Sequence, residues 1–352
     1  MSRIRFSLLS LLICVFGWPF GLAQVVGQDA AVAENPERLR SELAETSAQI
    51  LFEAYAGDNW ELFVMNADGT DVRNLTNTPD RHELYPQASP DGTRIAFICD
   101  EIVEGQTIRN VDLMNRDGSG RKRIASQARQ PCWSPDSKQV AFVRMEFGKF
   151  NIKDYVSQGL LIYDVASGKT REAGNKKVHH IYVPNWSPDG KWIVTTVHGG
   201  MGFGHAIIAI EIDGERVVDL GIPGCRPCLS RDGKHVTWSS NDHTVNVAAL
   251  EWSDQGVKVV EQRVLHHEDT LHTYHPDFSP DGRYVVFSLG PGGRVRANGP
   301  GTHTEVAEMI GVRGPWELVL KPVSGQGSLI KLTEGEDQTS KEAEWLPSVS
   351  EK

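Results

Sequence analysis

The stretch Val183-Pro184-Asn185-Trp186-Ser187-Pro188-Asp189-Gly190-Lys191-Trp192-Ile193-Val194-Thr195 decides the fold, because the chain repeats it. Related segments run from Tyr85 to Phe97, Gln130 to Phe142, Arg226 to Trp238 and His275 to Phe287. Each carries a proline second (Pro86, Pro131, Pro184, Pro227, Pro276) and an apolar residue two places later (Ala88, Trp133, Trp186, Leu229, Phe278). Ser-Pro-Asp-Gly or a near relative follows, with Ser137 in the glycine position of the second copy and Arg231 in the proline position of the fourth. Proline presets the bend, aspartate accepts backbone N–H bonds, and glycine supplies a positive φ, so the motif is a hairpin turn. The apolar, β-branched residues after it, such as Val140-Ala141-Phe142 and Val285-Val286-Phe287, mark a buried strand.

The prolines stand 45, 53, 43 and 49 residues apart. A repeat of that length holding several short strands is a propeller blade. Between copies the grammar returns as an apolar strand and an Asp-Gly turn, as in Leu62 to Gly69, Val111 to Gly118 and Ile208 to Gly214. Each blade is therefore expected to be four antiparallel strands. Glu342 to Pro347 reads as a sixth first strand that stops before its turn, and Gln49 to Thr76 supplies three strands lacking a first. The two chain ends then share one blade and close the ring. The expectation is an all-β, six-bladed propeller over residues 49–347, with a short tail at 348–352.

The Pro-x-Trp-Ser-Pro-Asp-Gly-Lys repeats, with Asn66-Ala67-Asp68-Gly69-Thr70 and Asn74-Leu75-Thr76, resemble the propeller of the TolB family. The resemblance implies a periplasmic binding role beside other envelope proteins. Unlike that family's pattern, only about 25 residues lie between the leader and the first strand, too few for a preceding α/β domain.

Residues 1–23 read as a secretory signal peptide: Arg3 and Arg5, an apolar run from Phe6 to Phe20, and Gly21-Leu22-Ala23 as a cleavage site. Pro19 and Gly17 interrupt a run already short for a membrane span, so the expectation is export to the periplasm or outside the cell, with no span after cleavage. Losing the two arginines takes the formal charge from −10 to about −12, which excludes a nucleic-acid partner for want of a basic stripe. Residues 24–48 are a polar leader in which Asn35-Pro36-Glu37 caps a short helix, expected to pack loosely on the ring. Cys99, Cys132, Cys225 and Cys228 are structural, buried or paired, with connectivity open. Cys225-Arg226-Pro227-Cys228 has redox spacing but sits where a strand begins, without the helix N-terminus that lowers a thiol pKa.

In a propeller of this kind all the Ser-Pro-Asp-Gly turns share one face. Variable loops rich in His, Arg and Gly fall on the other, where function is expected. His82, His180 and His272 each lie four residues before a blade proline in alternate blades. Three equivalent imidazoles over the channel mouth would hold one divalent metal and leave a position open. His179 and His275 would add ligands or outer partners. His198 and His205 flank a glycine-rich loop, and Arg294, Arg296 and His303 sit in the insertion from Gly290 to Ile310, where arginines suit carboxylate or sulfate.

No Gly-x-Ser-x-Gly nucleophile elbow and no Gly-x-x-x-x-Gly-Lys-Ser/Thr phosphate loop occurs. Two readings remain, both of a monomer. One is an exported scaffold binding a protein or envelope component through the face opposite the turns, with no cofactor. The other resembles the propeller-fold polysaccharide lyases: a His-bound divalent metal would neutralise a carboxylate of an acidic saccharide, Arg294 or Arg296 would hold a second, and a free histidine would take the proton.

Overall fold

The computed structural model describes residues 35–145, 157–291, 310–311, 313–334 and 339–349. Six four-stranded antiparallel sheets form, each with its first strand innermost. Blade 1 takes its inner strand, Ser340–Leu346, from the C-terminal end and its other three from Gln49–Ala56, Asn59–Asn66 and Arg73–Asn74. The inner strands of blades 2 to 6 are His82–Ala88, Ala128–Trp133, Ile181–Trp186, Cys225–Leu229 and His272–Phe278. The chain ends thus close the ring in a shared blade, as the repeat predicts.

The Ser-Pro-Asp-Gly turns are nearly identical in bonding. Ser89, Ser134, Ser187, Ser230 and Ser279 each donate from Oγ to the aspartate two residues on, at 2.6–2.7 Å. That aspartate accepts the N–H of the residue two beyond it at 3.0–3.1 Å. The serine oxygen in turn accepts a backbone N–H five residues on at 2.9–3.0 Å. Glycine is demanded by space as well as φ at Gly69 (φ 92°), where a Cβ would meet the Leu332 carbonyl at 2.8 Å.

Every inner strand bends at the same place. Tyr85, Gln130, Val183, Arg226, His275 and Glu342 all have positive φ, between 49° and 59°. Each sits where the pairing with the second strand shifts register. Five of the six precede the repeat proline, and Ala343 stands in its place in the sixth. A bulge leaves one residue outside the ladder, so proline, with no N–H to pair, is tolerated there. Positive φ is strained for all six, most of all for β-branched Val183, and strain of this kind gathers at functional sites.

The helix, Pro36–Ala44, has Asn35 as N-cap and Pro36 in its first turn. It is not loosely packed. Leu39 and Leu43 are 2% and 1% exposed in a core shared with Ile50 and Phe52 of blade 1 and Val286 and Leu318 of blade 6. Burial of the apolar face, unseen in the polar composition around it, overrides the expected looseness. All four described cysteines are free.

Candidate functional site

The bulge residues turn inward and fill the waist of the channel. Tyr85, Gln130, Val183, Arg226, His275 and Glu342 are all 7% exposed or less, so the channel is plugged at this level. Glu342 is the hub: Arg226 Nη1 lies 3.4 Å from its Oε1, and His275 Nδ1 lies 3.0 Å from its Oε2. Burial opposes its ionisation, but His275, Arg226 and Lys341 outweigh that and hold the carboxyl at about 2. Beside it Lys341 Nζ stands 3.4 Å from Glu53 Oε1, over Trp60. Burial dominates at Glu53 and lifts it to about 7, although Tyr85 N and Gly311 N both donate to it.

Above the waist, on the face opposite the turns, aromatic rings carry the cations. Arg129 lies over Tyr182 at 5.1 Å and Arg226 over Tyr274 at 4.4 Å. His198 and His205 stack edge to face, with Nδ1 atoms 3.2 Å apart. His205 Nε2 donates to the Gly224 carbonyl at 2.7 Å, which assigns its proton and makes its Nδ1 the acceptor of a proton from His198 Nδ1. The His198 Nε2 lone pair is then left without a hydrogen bond among the described residues. Burial, followed by His205 and Arg226, pushes His198 down to about 4, so it stays neutral.

The expected metal tripod does not form. His82 Nδ1 accepts the Trp60 N–H at 3.2 Å, His180 Nδ1 donates to the His198 and Gly199 carbonyls, and His272 Nδ1 meets the Tyr274 hydroxyl at 3.2 Å. Among the described residues no three His, Cys, Asp or Glu side chains come together as metal ligands. Instead the imidazoles pair locally: His179 with His180, His198 with His205, His243 with His272. His179 is used up by the Lys177 carbonyl and the Met201 N–H. His275 lies at the buried waist, not on the outer face, because the bulge turns it inward. Arg294, Arg296 and His303 lie outside the described residues.

Sequence reasoning missed Arg226, Glu342, Lys341, Tyr182 and Tyr274. A signal was present for Arg226 alone: a proline in mid-strand, Pro227, marks a bulge, and the residue before it is the one re-aimed.

No family model matches the sequence. Over 213 residues the chain is 28% identical to the uncharacterized peptidase YuxL of Bacillus subtilis, a match covering 58% of this chain but 29% of that protein. The chain thus spans under a third of that relative's length. TolB from Acinetobacter baumannii superposes with a TM-score of 0.62 at 19% identity, over 86% of this chain and 68% of its own. The fold is a TolB-like β-propeller. A Kuenenia stuttgartiensis hydrazine synthase chain gives 0.58 at 12% identity, over 89% and 48%, so a similar fold occurs in proteins with unrelated names. Among the described residues no helix is long and apolar enough to cross a membrane.

Proposed function

We propose that this protein is an exported binding scaffold that holds a protein or envelope component against the face opposite the Ser-Pro-Asp-Gly turns. The observation that carries the reading is His198. A general base works best with a pKa near the working pH, and an imidazole held at about 4 is a poor one. Its neutral Nε2 is instead a fixed acceptor for a partner's hydroxyl or amide. Exposed His205 stands against His198, and buried Tyr182 packs edge-on to the His198 ring at 5.7 Å, so the imidazole pair is mounted on rigid strands. Export rests on residues 1–23, with Ala23 the last residue removed.

The test is photo-crosslinking in intact cells from an unnatural amino acid at His205 on this face and, as control, at Lys191 beside a turn. The reading requires a discrete crosslinked species from His205 that His198→Ala weakens at least tenfold, in a protein fractionating outside the cytoplasm with residue 24 as its N-terminus. Crosslinks from Lys191 alone, or a cytoplasmic protein with Met1 intact, would defeat it.

A further inference from the structure

The plugged waist leaves a second, blind cup at the other mouth, among the turns, with a volume of 440 Å³. Its floor is the ring two residues after each bulge: Gln87, Cys132, Asn185, Cys228, Asp277 and Glu344. Four of these form a hydrogen-bonded arc. Gln87 Nε2 donates to Glu344 Oε2 at 3.3 Å, and the Cys228 thiol donates to Asp277 Oδ1 at 2.7 Å. Asp277 Oδ2 also accepts the Trp345 backbone N–H at 2.9 Å. Among the described residues no lysine or arginine forms an ion pair with either carboxyl. Burial and then the charge of Asp277 push Glu344 far above the usual carboxylate range, and burial raises Asp277 too.

The walls are aromatic, with Trp133, Trp186 and Phe278. Trp345 also lines the cup, and its indole N–H, in a residue 4% exposed, has no acceptor among the described residues. Asp91 and Asp136 stand at the rim, so four acids face a single cation, Arg231. That arginine replaces the repeat's proline and reaches across the mouth to the Pro90 carbonyl of blade 2, in the opposite half of the ring. A pocket with apolar walls and a few convergent polar groups is built for a small ligand. Two acids without a counter-cation hold protons in the empty cup and release them to solvent when a cation docks between them, aromatic walls favour that cation, and a buried N–H without an acceptor asks for a carbonyl.

We infer that this cup binds a lysine-like ligand: a primary ammonium on a slim aliphatic stem, seated between Asp277 and Glu344, with a carbonyl at the stem's base for the Trp345 indole. A lysine side chain within a peptide has this chemistry. Arg231 stands in the way of entry and must swing off Pro90 to admit it. The inference is independent of the opposite face, so either can fail alone.

The mature chain is titrated calorimetrically with Nα-acetyl-lysine-N-methylamide, beside its norleucine and glutamate counterparts. The lysine compound is expected to bind, with the other two at least tenfold weaker. Glu344→Gln and Asp277→Asn are each expected to weaken it tenfold, while Arg231→Ala keeps or strengthens it. Glu344→Gln replaces a carboxyl that burial keeps protonated with a neutral amide of the same shape, so it is expected to melt no lower than the native protein, which keeps it a valid test. His198→Ala on the far face should change nothing. Equal binding of the norleucine compound, no binding at millimolar ligand, or full affinity in both carboxyl variants would overturn the inference.

Discussion

Ser187 shows how one residue type fixes a turn that the chain uses five times. It is fully buried, donates from Oγ to Asp189 and accepts the Trp192 N–H at 2.9 Å. Ser187→Ala leaves that N–H unmade inside the protein, so urea denaturation should show a loss of about 1–3 kcal/mol. An unchanged midpoint would mean that the backbone bond from Ser187 N to Trp192 O holds the turn by itself. Glu342 is the contrasting case, a buried charge held between Arg226 and His275. Glu342→Gln removes the charge that Arg226 and His275 share, and breaking a buried pair costs about 3–5 kcal/mol. A melting temperature within a degree of the native value would show that the waist is held by packing instead. The turn residues were legible because Ser, Pro, Asp and Gly each have one local job. The waist was not, since a one-residue shift in pairing redirects a side chain and strand alternation alone cannot reveal it. That is why His275 was expected on the outer face and lies in the waist.

At the scale of the element, the helix is a clamp on the closing blade. Arg40 donates to the Asp68 carbonyl of blade 1 at 3.0 Å and to the Lys331 carbonyl of blade 6 at 2.7 Å. Leu39 and Leu43, one turn apart, press into the seam between the same two blades. Leu43→Ala should therefore cost about 2–5 kcal/mol, the range for a core leucine. Limited proteolysis should then release a fragment ending near Thr46 well before the rest of the ring is cut. Equal cleavage of native and variant proteins would show that the helix contributes nothing to closure. Asn35 and Pro36 announced the helix, since capping is a matter of neighbouring residues. Its docking depends on a seam whose walls are Phe52 and Leu318, more than 260 residues apart in sequence, and no local pattern encodes that.

For the whole molecule, six blades and their shared closure were readable because the repeat spacing sets them, while the interior of the ring holds more charge than its composition suggests. That charge sets how stability responds to pH. Burial lifts Glu53 to about 7 against the opposing charge of Lys341, and lifts Glu83 to about 7 against its bonds to Thr78 and Arg121. A folded carboxyl with a raised pKa holds a proton that the unfolded chain has lost, so it favours folding below its folded pKa and less so as pH rises. The contribution of these two groups should accordingly decline from about 4.5, the ordinary glutamate value, up to about 7. On the acid side the sign reverses. Glu342 sits at about 2, and the turn aspartates Asp91 and Asp136 lie below 3.8, so protonating them as pH falls removes stabilisation present above those values. His198, held at about 4 where the unfolded imidazole titrates at 6.5, raises stability with pH over that interval and opposes the glutamates. The melting temperature should fall on the acid side of about pH 4, and the glutamate limb above it is read as the difference between native and variant proteins in scanning calorimetry from about pH 3 to 8. Glu83→Gln should flatten the upper limb and leave the lower one unchanged. A Glu83→Gln variant whose melting temperature runs parallel to the native one from pH 4.5 to 7 would mean that Glu83 is ionised in the folded ring, with Arg121 outweighing its burial.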